Sequence, residues 1–418
     1  MNYKTFEYDN YRIHFCKQKK FKTVEFRIYF CSEVNRKKMT YHSVLMDMLV
    51  FGSKKYPTKR ELLKKTQELY SIYISSSARR HGNLLMDHVG VSFLNPKYTD
   101  SNMLSESMEI LNEILFNPLI SENSFNEKYL EIIKKECWNE TEKIKENPKL
   151  YANIKTLEYS NPNANYAITG YCDQDVLKEI NGNNLYLEYL KMMNETQKEI
   201  IVVGDLSEDE LISMIKKYFP FQKQKKYLFE KQNVSDILYN FREKQETMPF
   251  TQSKLSILVK FDYLSEFEYY YAMNVYNMLL GGCSESLLMK NIRENNSLAY
   301  YANTFLSKFD NILFINSGID YHNYSQTLEL VQKTLDDIKE GHFNNKLLTS
   351  CKREFLSMLR CTNDSINDIC DIILGQVVFN SKSLKERIKM INCVKKEDII
   401  KIANKMHLDT VFLLKGEL

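Results

Sequence analysis

YHSVLMDMLVFGS, residues 41–53, has apolar side chains at three- and four-residue intervals and then a glycine. That is the pattern of a buried helix with a C-terminal breaker. YAMNVYNMLLGGCS, at 271–284, has the same form in the second half of the chain. Each helix follows a run that alternates like a half-buried strand, VEFRIYF at 24–30 and KLSILVKF at 254–261. One pattern is written twice.

The repeat continues in order. A second helix leads into two strands around a short polar turn, ELLKKTQELYSIYISSSARRHGNLLMDHVGVSF at 61–93 and SLLMKNIRENNSLAYYANTFLSKFDNILFINSGI at 286–319. Two helical stretches joined by similar connectors follow, at 116–136 and 338–355, and each half closes on an apolar strand, EIIVVGDL at 199–206 and TVFLLKGEL at 410–418. A repeat this long points to duplicated domains rather than stacked solenoid units. The polar, aperiodic stretch 222–250 reads as a linker, dividing the chain into 1–221 and 251–418. Strands and helices come in runs rather than strict alternation. The expected class is therefore α+β: two duplicated domains, each a mostly antiparallel sheet covered by helices.

The 418 residues suit two domains, and 44% apolar residues give each a core of its own. The 57 basic residues against 54 acidic leave a net charge of +3, without the strong positive field that phosphate backbones select. Nucleic acid is not an expected partner. Nine scattered cysteines with no C-x-x-C suit reduced thiols better than a disulfide framework or a zinc knot. The N-terminal residues have no signal-peptide pattern and no run reaches membrane-span length, so the expected compartment is the cytoplasm.

Together, M-L-x-x-G followed by KYPT in the first half, and GG-x-S-x-S-L-L with R-E-x-x-S-L-A-Y in the second, resemble the pitrilysin/insulinase-like metallopeptidases and the mitochondrial processing peptidase. The resemblance covers nearly the whole chain and implies the half-clamshell arrangement of the small bacterial members. In active relatives the first helix carries H-x-x-E-H: two histidines one turn apart bind Zn²⁺, the glutamate is the general base, and a distant glutamate completes the ligands. Aligning the M-L-x-x-G segment on 48–53 places that motif on residues 43–47, where Ser43, Met46 and Asp47 stand in for histidine, glutamate and histidine. His42 and Asp47 are five residues apart, roughly 140° around a helix, and do not share a metal. The third-ligand equivalent is Glu136 or Glu140. No metal is expected in this chain.

Other readings compete for these residues. His42 reads as a partly exposed histidine near a helix start, Glu136 and Glu140 as a solvated face, and His81 and His88 as strand residues without a metal role. In the second half, the resemblance implies that Arg293 and Tyr300, with Tyr301 beside it as a substitute, bind the substrate backbone and the tetrahedral intermediate; a guanidinium and a phenol are both suitable donors. The competing reading is a helix-end arginine and a core tyrosine. Runs 24–30 and 254–261 are candidate edge strands for an extended peptide, and some of the 28 tyrosines and 23 phenylalanines are candidate chamber lining.

In some small bacterial relatives the zinc motif comes from one subunit and the arginine–tyrosine pair from the other. The resemblance thus implies a catalytically silent subunit that pairs with a zinc-bearing H-x-x-E-H paralogue to process small peptides. Relatives of this kind are linked to maturation of modified peptides such as bacteriocins. The alternative is a non-catalytic binding or scaffold homologue, for example one associated with translation-factor modification.

Overall fold

The computed structural model describes residues 2–222 and 240–417. It is α+β, and its strands form two large sheets. In chain order these are β1 (Lys4–Glu7), β2 (Arg12–Lys17), β3 (Thr23–Glu33), β4 (Tyr73–His81), β5 (Leu84–Leu94), the short pair β6 (Ile120–Ser121) and β7 (Ser124–Phe125), β8 (Gln197–Gly204), β9 (Arg242–Met248), β10 (Ser253–Phe261), β11 (Ala299–Ser307), β12 (Ile312–Ile319) and β13 (Met406–Gly416). The first sheet runs β1-β2-β8-β3-β5-β4 and the second, read from its far edge, β9-β13-β10-β12-β11. Apart from β1 the two orders are the same. Each sheet has one parallel pairing, β2 with β8 and β9 with β13, and is otherwise antiparallel. The duplication read from the sequence is a duplication of topology.

Two differences from the sequence reading follow. Part of the presumed linker is a strand: β9, REKQETM, pairs in parallel with β13 at the sheet edge. Its charges hid it, and charge is how edge strands commonly avoid pairing with other chains. Residues 223–239 of that stretch lie outside the described residues. The runs 24–30 and 254–261 are not edges, because β3 lies between β8 and β5 and β10 between β12 and β13. Alternating apolar residues mark a covered face, which a central strand has as readily as an edge.

The chain forms two compact units that are discontinuous in sequence. The first contains the described residues of Met1–Glu142, Ile168–Glu230 and Asn363–Asn380; the second contains those of Lys143–Ala167, Lys231–Thr362 and Ser381–Leu418. The cut drawn from the repeat follows chain order, whereas these units exchange a segment in each direction.

In the first unit, Val24, Phe26, Ile28 and Phe30 of β3 point into a core with the helix Arg36–Phe51 and the helix Met103–Phe116. The opposite face of β3 presents Glu25, Arg27 and Tyr29, and the late helix Ile366–Phe379 accompanies it. Arg27 bonds Glu25 at 2.8 Å, Asp371 at 3.2 Å and Asn367, while Arg12 donates to the Val377 carbonyl at 3.1 Å.

The second unit repeats the scheme. Leu255, Ile257, Val259 and Phe261 of β10 join a core with the helical segment Glu268–Ala272, Met273–Asn277 and Met278–Gly282. The other face of β10 meets the helix Pro148–Ser160: Ser256 donates to Asn153 at 2.9 Å, Tyr159 stacks on Phe412 of β13 at 5.7 Å, and Ser160 donates to Asp409 at 2.6 Å. Tyr151 and Tyr159 both donate to Glu246 of β9, at 2.6 and 2.7 Å.

Phe412 has no solvent exposure, and emptying such a site costs roughly 3–5 kcal/mol. Phe412→Ala is expected to lower unfolding stability by that amount in urea titration. A double-mutant cycle with Tyr159→Ala is expected to return a coupling of about 0.5–1.5 kcal/mol, the range for an aromatic pair.

Candidate functional site

The helix Arg36–Phe51 begins at Asn35, whose side chain accepts from Lys38 N–H, and ends at Gly52, where a Cβ would meet the Tyr56 carbonyl oxygen at 2.7 Å. It carries the degenerate motif. Ser43 donates to the Met39 carbonyl at 2.9 Å, Met46 is buried, and Asp47 reaches solvent. Across from Asp47 lies the helix Glu127–Glu142, and the residue it brings there is Cys137, whose thiol is 3.9 Å from Asp47 Oδ2. Thr141 ties this corner together, donating to the backbone carbonyls of Cys137 (3.1 Å) and Cys172 (3.2 Å). Glu136 and Glu140 are both exposed. Crowding of the Asp47 carboxyl, followed by the charge of Glu136, raises its pKa. A hydroxyl, a thioether and a carboxylate do not make the imidazole-rich set that zinc takes in these enzymes. Among the described residues no group of three or more His, Cys, Asp or Glu is placed to hold a metal. The residues do not fit zinc.

His42 differs from its sequence reading. It is fully buried within the helix, not partly exposed at its start, and its Nδ1 donates to the buried Asp87 Oδ2 of β5 at 2.5 Å. Its Nε2 lies 3.7 Å from Glu188 Oε2, an ion-pair distance longer than a hydrogen bond. Burial alone disfavours the imidazolium, but Asp87 and then Glu188 outweigh it and the pKa is raised; Glu188 is drawn down to about 2, chiefly by the nearby His42. Sequence held no signal for this pairing because Asp87 is 45 residues away.

His81 and His88 do not come together: β4 and β5 pair His81 with Leu84 and His88 with Ser77. His88 lies between the hydroxyls of Ser75 and Ser77, against the Tyr29 ring, and burial followed by Arg27 and Arg79 lowers its pKa to about 3. It stays neutral.

Arg293 is exposed on the helical turn Met289–Glu294, whose wide π winding is a form frequent at functional sites, and its Nη1 lies 3.9 Å from Met289 Sδ. Ser297 follows with a positive φ of 55° and turns the chain into β11. Tyr300 is the extra residue of a bulge, since Ala299 pairs with Ile319 and Tyr301 with Gly318. It is 75% exposed, so it is not a core tyrosine. Tyr301 is half-buried and packs beside Lys149 and Lys254.

Residues 179–355 match the family model described as Peptidase M16 inactive domain. Over that span the chain is similar to the M16 peptidases. It is 26% identical over 406 residues to the probable inactive metalloprotease YmfF of Bacillus subtilis, covering 96% of this chain and 95% of the relative. It is 23% identical over 310 residues to the uncharacterized zinc protease YmxG of the same organism, covering 72% of each. Among solved structures, a conserved protein from Enterococcus faecalis V583 superposes with a TM-score of 0.90 at 25% identity, covering 100% of this chain and 99% of that one. The chain thus shares the fold of that structure, and its motif helix carries no set of residues that fits zinc.

The His42 pair makes stability depend on pH. A histidine whose folded pKa is raised contributes stability that is present below its ordinary 6.5 and lost as pH climbs through the folded value. Glu188, depressed from 4.5 to about 2, contributes stability present above 4.5 and lost as pH falls toward 2. Urea midpoints are therefore expected to peak between these two limits, and His42→Gln is expected to flatten the alkaline limb. His42→Leu leaves Asp87 buried without its partner and is expected to cost roughly 3–5 kcal/mol.

Proposed function

We propose that this chain is a non-catalytic subunit of M16 type that binds peptides and pairs, in the cytoplasm, with a zinc-bearing paralogue, to whose site it supplies Arg293 and Tyr300. The observation that carries the reading is the contrast between the two halves. The motif helix has no zinc ligands, whereas the second half presents a guanidinium and a phenol on the surface at the family spacing. That one organism holds both a probable inactive relative and a relative named as a zinc protease supports a division of this kind. No helix among the described residues is long and apolar enough to cross a membrane.

The metal in the partner supplies the activated water. Arg293 and Tyr300 supply donors for the oxygen of the peptide carbonyl, where negative charge develops as the bond is attacked. Both sit on the border of a helical turn and a bulged edge strand, so an extended peptide has room to approach them. Tyr300 is largely exposed, and fixing it against a substrate draws on binding energy that a solitary subunit does not provide.

The test is an assay of a quenched peptide with the chain alone, a zinc-bearing paralogue alone, and the two mixed. Cleavage is expected from the mixture and none from this chain, with stoichiometric zinc recovered only from the paralogue. Arg293→Ala or Tyr300→Phe is expected to lower turnover of the pair at least about tenfold, the scale of losing an oxyanion donor. Unchanged turnover in both variants favours the scaffold reading instead.

A further inference from the structure

β10, β12 and β11 lie side by side, and their register puts Lys254, Gly318 and Tyr301 in one row across the sheet. Residues level with one another on neighbouring strands share a face, so the row has a lysine at one end, a tyrosine at the other and no side chain in the middle. The gap is used. A Cβ on Gly318 would fall 2.5 Å from the Tyr301 ring and 2.8 Å from Gln252 Oε1, so only glycine lets the ring lean across toward Lys254.

A second lysine reaches the same ring from the helix Pro148–Ser160. Lys149 Nζ lies 5.1 Å from the Tyr301 centroid and Lys254 Nζ 5.7 Å from it. Lys254 also donates to Gln252. Neither lysine has an ion pair with any described residue, and the Tyr301 hydroxyl makes no hydrogen bond to one. Each ammonium is attracted by the ring, but the two repel one another. Like charges converge on one half-buried ring, Lys149 stands in the first turn of its helix where the dipole disfavours a cation, and that turn has no acidic residue. Lys254 registers the strain: partial burial, then the neighbouring Lys149, lowers its pKa.

Two ammonium groups over the ring of one tyrosine, with no carboxylate of a described residue among them, form a receptor for a carboxylate from elsewhere. We propose that Lys149, Lys254 and Tyr301 form a subsite for a carboxylate of the bound peptide, either an acidic side chain or the free C-terminus. This rests on the reading that peptides bind at Arg293 and Tyr300, and it makes that reading specific. Tyr300 and Tyr301 are adjacent, with Cα atoms about 3.8 Å apart. A peptide held at Tyr300 therefore runs beside the start of the strand that carries the subsite, within reach of a side chain or C-terminus a few positions along it. The partner's site performs the cleavage, and this subsite selects which peptides are held.

The experiment is fluorescence anisotropy of the full-length chain with labelled ten-residue peptides of one apolar sequence. The four carry an acidic or an amide side chain at a central position, each with a free or an amidated C-terminus. The inference expects the fully neutral peptide to bind at least about fivefold more weakly than the best acidic one, with the difference shrinking as salt is raised. The arm that loses affinity identifies the source: Glu to Gln for a side chain, amidation for a C-terminus. Lys149→Gln/Lys254→Gln is expected to narrow the preference to below about twofold, a range set by loss of a screened charge pair. Lys149→Glu/Lys254→Glu is expected to reverse it in favour of a peptide carrying lysine, a gain that misfolding does not produce. Equal affinities for acidic and neutral peptides in the native chain overturn the subsite and leave peptide binding standing. Binding of none of the four overturns both. Arg293→Ala, expected to weaken all four alike, reports on the underlying reading separately.

Discussion

A β-sheet has two faces, and neither central strand of this protein tolerates leaving one in water. β3 points Val24, Phe26, Ile28 and Phe30 one way and Glu25, Arg27 and Tyr29 the other, and both sets are largely withdrawn from solvent. The same holds for β10. The first face is covered by helices from the same half of the chain. The second face is covered by a helix from the other half, Ile366–Phe379 for β3 and Pro148–Ser160 for β10. That reciprocal debt makes the two halves one folding problem, because a half without its borrowed helix leaves Arg27 without Asp371 and Asn367, or Asp409 without Ser160.

How far this was legible depends on the range of the interaction concerned. Periodicity is local, so the strand-helix order of both halves, the α+β class and the glycine ends of the motif helices were all readable from residues a few positions apart. Strand β9 was not, because REKQETM has no apolar face and its pairing with β13 is visible only in three dimensions. The borrowed helices were hidden for the same reason: ordinary amphipathic spacing says that a helix covers something, not which sheet it covers. At the candidate site, Ser43, Met46 and Asp47 could be placed by motif alignment, whereas Cys137 opposite Asp47 and Asp87 beneath His42 depend on which face of a distant element turns inward.

The motif helix has been rebuilt rather than emptied. In a zinc enzyme the charge of the metal holds the helices at this point together. Here Met46 contributes apolar bulk, Thr141 links two backbone carbonyls, and one residue before the motif His42 forms a buried charge pair with Asp87. An uncompensated charge at that depth costs several kcal/mol, so the pair is kept whole or not at all. Nothing comparable constrains Arg293 and Tyr300. Their exposure, with neither in an ion pair with any described residue, distinguishes a surface kept for a ligand from a surface kept for stability.

Polar groups also explain how each borrowed helix finds its sheet. Apolar contact is undirected, and a helix with leucine-rich stripes has several ways to lie on a valine-rich face. Arg27 accepts only a placement that brings Asp371 and Asn367 within reach, and Glu246 only one that brings Tyr151 and Tyr159, eight residues apart, to its two oxygens. A half-satisfied network of this kind is worse than none, so a helix shifted by one turn loses more than it gains. Such pairs add little net stability, and their effect is to exclude the alternatives. By that reasoning Lys149 and Lys254 are the exception on the same face of β10: in a region where the other buried charges are matched, they are left facing each other over Tyr301.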